Sequence, residues 1–134
     1  MNVTLHLHDE FKRQFRRLSK KYRSLTDDLE DFQKELKKNP LQGSDLGGGV
    51  RKIRMTIASK GKGKSGGARV LTLNVLVIDQ TKAYITPSDE VDITKIDNTS
   101  DETIDVTLLT IYDKNEIDNV SDDYIRWLVS DADK

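Results

Sequence analysis

From Val50 to Arg69 the chain alternates and then abruptly stops alternating, and no other stretch limits its fold as strongly. Ile53, Met55 and Ile57 fall on one side of an extended segment, and Lys52 and Arg54 fall on the other. A strand written this way belongs in a sheet with one buried side and one cationic side. Ser59 to Gly67 follows, a glycine, lysine and serine segment with no side chain able to anchor a core. It is expected to be a loop that delivers Lys60, Lys62 and Lys64 to an anion, with Arg69 opening the next strand. No acidic residue interrupts the stretch from Gly49 to Arg69.

Phosphate is the anion that such a segment fits best. Glycine-rich backbone offers N–H donors at close approach, lysine supplies point charge and arginine supplies a bidentate fork. A polyphosphate such as RNA is the simplest ligand that needs several cations in a row. The competing explanation is a solvated tip enriched in lysine for solubility, which the aimed charges of Lys52 and Arg54 argue against. The GKGKS run resembles the end of a nucleotide-binding P-loop, but Ala58 stands where that motif needs its first glycine, and a strand follows instead of a helix.

The formal net charge of -1 conceals a division of the 134-residue chain. Residues 1–69 hold 17 Lys/Arg against 8 Asp/Glu, and residues 70–134 hold 5 against 15. A basic half therefore faces its partners, whatever the overall isoelectric point. The chain has no cysteine, which suits a reducing compartment. No apolar run approaches membrane-spanning length, and the first residues lack the charged-then-apolar order of a secretion signal. The expectation is a single cytoplasmic domain over 1–134, with 88–105 as an acidic insertion between strands. That insertion carries seven acidic residues and one lysine.

Val3, Leu5 and Leu7 alternate as in a half-buried strand, and His6 and His8, lacking a third ligand, read as solvent-facing strand residues and not as a metal site. From Asp9 the period becomes helical through Phe11, Phe15, Leu18 and Tyr22, with Lys12, Arg13, Arg16, Arg17, Lys20 and Lys21 on the remaining surface. That basic surface is either solvated or a contact for RNA or an acidic protein. Leu25, Leu29, Phe32 and Leu36 define a second helix, with Thr26 as its N-cap and Asn39-Pro40 as its end. Leu41 to Gly49 is expected to be a loop. A long apolar strand starts after Arg69, Lys82 to Thr86 is its hairpin partner or its continuation, and Val106 to Tyr112 is another strand. Ser121 caps a last helix, Val120 packs on Ile125, and Leu128 with Val129 or Trp127 forms its apolar side. The sum is an α+β fold with the helices on one face of the sheet.

A helical pair ending in NP, then GVRKIRM, SKGKGKSGGARV and LLTIYDKNE before a final helix, resembles the RelE/ParE toxin superfamily, most closely its HigB-like branch. The resemblance runs from about Phe11 to Leu128. It implies a small antiparallel sheet with an N-terminal helical hairpin packed on one face and a C-terminal helix. It also implies a type II toxin that cleaves mRNA on the ribosome and is held in check by a cognate antitoxin, here a helix-turn-helix protein similar to HigA. Arg54, Arg69, Tyr112 and Lys114 match positions that line the active groove of that family. Ser121 stands near where such enzymes often carry a tyrosine, so Tyr124 or Tyr112 would have to take its place. Members similar to ParE bind gyrase and cut no RNA, so a non-nuclease toxin or an inactive RNA-binding relative is the alternative.

The chemistry implied needs no cofactor and no metal. A 2′-OH attacks the adjacent phosphorus, which calls for a base, for cations around the phosphorane and for an acid at the 5′-oxygen. Lys52, Arg54, Lys60, Lys62, Lys64, Arg69 and Lys114 are the candidate cations, Lys52, Lys60, Lys62 and Lys64 being assigned to RNA binding. Tyr112 is a candidate to stack a base or donate a proton. A lysine surrounded by other cations is the candidate base.

Overall fold

The computed structural model describes residues 2–60, 67–78, 81–84 and 102–132. In chain order these form β1 (Asn2–Leu7), α1 (Asp9–Ser19), α2 (Leu25–Lys38), β2 (Ser44–Gly47), β3 (Val50–Met55), β4 (Ala68–Ile78), β5 (Thr81–Tyr84), β6 (Thr103–Asp113) and α3 (Asp122–Ala132). One sheet runs β1-β6-β4-β3-β2, and β5 pairs with β4 at Val75–Ile78, beyond the residues that β3 uses.

The sheet is mixed and not antiparallel throughout, because β1 lies parallel to β6 from the Asn2/Thr103 pair to the Leu7/Leu108 pair. β6 also begins earlier than its apolar run implies. Thr103 to Asp105, expected within the acidic insertion, already pair with β1 and, at Thr103 to Val106, with the far end of β4. Residues 88–101 of that insertion lie outside the described residues. Ser44–Gly47, expected as loop, forms β2 against β3.

Each face of the sheet has its own core. On one face Phe11 and Leu18 of α1 and Leu25, Phe32 and Leu36 of α2 meet Ile53, Met55, Val70, Val106, Leu108 and Ile111. On the other, Leu128 of α3 is fully buried among Val50, Leu71, Leu73, Leu109 and Tyr112, with Ile125 and Val129 packed beside it. The helices therefore cover both faces, since α3 carries too much apolar surface to remain solvated. Burying Leu128 alone is worth about 1.5–3 kcal/mol. Val129 completes the apolar side, while Trp127 stays 49% exposed.

The helix ends follow local chemistry, with two adjustments. α2 starts at Leu25, so Ser24 and not Thr26 holds the N-cap position, and the Ser24 hydroxyl donates to Asp28 at 2.7 Å. His8 is buried, and it caps α1 by accepting the Glu10 N–H on Nδ1 at 2.9 Å while Nε2 lies 2.8 Å from Asp131. It is thus a helix cap and not a solvent-facing residue. Ser121 accepts the Tyr124 N–H at 3.1 Å, the N-cap that the sequence predicts.

One irregularity determines what the end of β6 can do. Leu71 pairs with Thr110 and Thr72 with Leu108, leaving Leu109 as an extra residue in β6. Such a bulge reverses which side chains face which side of the sheet. Ile104, Val106 and Leu108 face α1 and α2 before it; Ile111 and Asp113 do so after it, and Tyr112 turns to the α3 side.

Candidate nucleic-acid interface

Pairing across β3, β4 and β6 builds a transverse row: Arg54 opposes Arg69, and Arg69 opposes Tyr112. Paired residues share a face, so this row and Lys52 stand on the α3 side of the sheet. A cleft of about 460 Å³ opens there, lined by Gln42, Gly43, Ser44, Lys52, Ile53, Arg54, Arg69 and Lys114. Four of the sequence-assigned cations thus meet in one place. Arg54 is exposed, whereas Arg69 is only 6% exposed and donates to the Ala68 carbonyl at 3.2 Å. Directly opposed like charges destabilise a sheet. Arg54 and Arg69 bring two guanidinium groups together, and an anion between their forks would meet both.

Tyr112 lies beside Arg69 with its ring buried among the α3-side core. Burial pushes its hydroxyl up from its ordinary value, the Arg69 charge pulls it down, and Asp118 adds to the rise. The net direction is upward, so Tyr112 is a neutral O–H donor near pH 7. That hydroxyl has no hydrogen-bond partner among the described residues. Base stacking, one of its two expected roles, is closed to it because the ring is only 3% exposed.

Lys114 reaches the cleft from the end of β6, and its Nζ is 2.5 Å from Asp118 Oδ1. The all-cation surroundings expected of a lysine base are not those of Lys114. Asp118 in turn is held below its ordinary range, first by Lys114 and also by Lys52. This carboxylate, unassigned from the sequence, serves as a counter-ion at the mouth of the cleft.

Lys60 does not point to a ligand. Its Nζ is 2.6 Å from Asp113 Oδ1, and both side chains are buried. The Tyr22 hydroxyl donates to Asp113 Oδ2, and the Asn115 N–H donates to Oδ1 at 2.9 Å. Burial alone would raise the Asp113 carboxyl, but the bonds from Lys60, Tyr22 and Asn115 outweigh it and bring it down to about 2. Lys60, expected as an RNA contact, is thus a buried cation paired within the fold. Lys62 and Lys64 lie outside the described residues.

Tyr124 is likewise occupied. Its hydroxyl donates to Glu10 Oε2 at 2.6 Å and lies 2.9 Å from Thr110 Oγ1, and burial followed by the Glu10 carboxylate pushes it up to about 12. It ties α3 to α1; neither Tyr124 nor Tyr112 lines the cationic cleft, and both line a second cleft with Glu10, Arg13 and Thr110. Of the two tyrosines considered for a proton-donor role, Tyr112 is the one beside Arg69.

Gly43 is a cleft residue that the sequence did not single out, although a glycine directly before a strand, here β2, is a turn signal. Its φ is +88°, and a Cβ there would sit 2.4 Å from the Lys52 carbonyl oxygen. Gly43→Ala is therefore expected to lower stability by about 2 kcal/mol, from the left-handed backbone and the contact together. A urea midpoint unchanged from the wild type would refute this. No protein-family model and no curated protein sequence matches this chain.

Proposed function

We propose that this protein is an RNA-acting, phosphate-recognising α+β protein, and more narrowly the toxin of a type II toxin-antitoxin pair of the RelE/ParE superfamily, HigB-like branch. Its activity is that of a ribosome-dependent mRNA endoribonuclease that blocks translation. The observation that supports this best is the opposed Arg54 and Arg69 pair beside the Tyr112 hydroxyl, which has no hydrogen-bond partner among the described residues. Residues on three strands and up to 58 positions apart in sequence, Arg54 to Tyr112, would serve one phosphate.

In this reading a scissile phosphate enters the cleft between Arg54 and Arg69, whose forks stabilise the charge that develops on the phosphorane. The 2′-hydroxyl gives its proton to a water molecule as its oxygen bonds to phosphorus and the bond to the 5′-oxygen breaks, leaving a 2′,3′-cyclic phosphate and a 5′-hydroxyl. Tyr112, whose hydroxyl is buried beside Arg69, would turn towards the cleft to give its proton to the departing 5′-oxygen. Lys52 and Lys114 hold the flanking phosphates, Lys114 exchanging its contact with Asp118 for one with RNA. The protein would act in the cytoplasm on ribosome-bound mRNA and be silenced by a helix-turn-helix antitoxin similar to HigA.

Primer extension on translated mRNA after brief induction tests the proposal. Cuts that keep the reading frame and disappear when translation initiation is blocked are the expected result. No cuts, with loss of gyrase supercoiling instead, would replace it by the ParE-like reading.

A further inference from the structure

The cations of α1 divide into two rows that differ in one respect. Arg13 bonds Glu10 at 2.6 Å, Arg17 bonds Glu116 at 3.0 Å, and Lys21 lies within 3.8 Å of Asp113 and 3.9 Å of Glu116. This row is neutralised within the fold. Lys12, Arg16 and Lys20 form the adjacent row, all three exposed, and none has an ion pair among the described residues. Arg23, also exposed, continues the positive charge into the turn after the helix.

The free row has an energetic cost, since like charges four residues apart on a helix destabilise it by about 0.2–0.5 kcal/mol per pair. The helix dipole accounts for cations near the C-terminal end, where Arg16 stands in the last turn and Lys20 at the C-cap. It does not account for Lys12, which lies close to the N-terminal end. Successive members are about 6 Å apart along the axis, so a single carboxylate cannot serve them and a chain of phosphates can.

We infer that Lys12, Arg16 and Lys20 form a second polyanion-binding surface, separate from the cleft, that takes the backbone of a structured RNA. None of the three lines the cleft. A protein partner would need an apolar centre to its interface. The large exposed hydrophobics among the described residues are Leu7, Leu46, Ile78, Ile117 and Trp127, and none belongs to α1. A backbone of phosphates requires no such centre. The inference deepens the reading of this protein as RNA-acting, because it gives RNA a place to dock that performs no chemistry.

Binding of a short blunt-ended RNA duplex to the full chain, followed by fluorescence anisotropy across a salt series, is the test. The triple variant Lys12→Gln, Arg16→Gln, Lys20→Gln is expected to lower the log-log salt slope by about 2–3 units, since each duplex phosphate contact contributes close to 0.9. The single variant Arg16→Gln should lower it by about one. The matched triple Arg13→Gln, Arg17→Gln, Lys21→Gln removes equal charge and should lower it by less than about one. Equal loss from both triples would overturn the inference in favour of diffuse charge, and an unchanged slope would assign the row to solvation. A loss confined to polyglutamate binding would assign it to an acidic protein. Primer extension with the wild-type protein reports on the cleft and the duplex slope of the α1 triple reports on this row, so failure of the cleft reading and failure of this one are distinguishable.

Discussion

Replacing Asp113 with Ala is expected to lower the stability of the fold by about 3–5 kcal/mol, the range for removing one partner of a buried ion pair. At this chain length that corresponds to a fall of roughly 10–20 °C in melting temperature. Asp113 is fully buried and receives Lys60, Tyr22 and the Asn115 N–H together. Its loss leaves the Lys60 ammonium uncompensated in the interior, so adding Lys60→Met should recover much of the deficit. The same carboxylate makes a pH prediction. Its value is about 2 in the fold against an ordinary 3.8, so its contribution is complete above pH 4 and disappears as pH falls towards 2. The amplitude is roughly 2–3 kcal/mol. Asp113→Ala should flatten that part of the stability profile. A calorimetric deficit below about 1 kcal/mol, or an unaltered acid limb, would show that the pair carries no stability.

Arg69→Ala is expected to reduce RNA cleavage and growth inhibition by about a hundredfold, a loss of roughly 3 kcal/mol of transition-state stabilisation. Arg69 sits at the centre of the row, opposed by Arg54 on one side and Tyr112 on the other. Arg54 is exposed and water can replace it in part, so Arg54→Ala should cost less. Because Arg69 is itself buried, melting must be followed beside activity. A modest change in melting temperature with a large loss of cleavage is the expected pattern. Full toxicity of Arg69→Ala at equal expression would remove this residue from the mechanism.

Much of the candidate cleft was readable before the fold was known. Lys52 and Arg54 are recognisable as a cationic face because Ile53 and Met55 occupy the other, and that pattern is local. Arg69 and Lys114 followed from the resemblance and do line the same cleft. The inward turn of Lys60 was not legible because its partner is 53 residues away and reaches it only through the folded chain. Nothing within a glycine-lysine segment distinguishes a lysine that turns inward from one that turns out. Asp118 was missed for a related reason: its charge matters only once Lys52 and Lys114 stand close to it.

By itself the sequence determined several elements and their amphipathic faces: the alternation of β1 and β3, the stripes of α1 and α2, the stop at Asn39-Pro40 and the cap at Ser121. Those are governed by side-chain periodicity and by capping groups within a few residues. Tertiary structure alone decided the parallel pairing of β1 with β6, the placement of α3 on the second face, and the destination of the residues that end β6. All three depend on contacts between distant segments. The bulge at Leu109 carries the largest consequence, since an extra residue in one strand exchanges the two faces beyond it. It is the reason that Tyr112 stands beside Arg69 while Asp113, its neighbour, is buried against Lys60 and Tyr22.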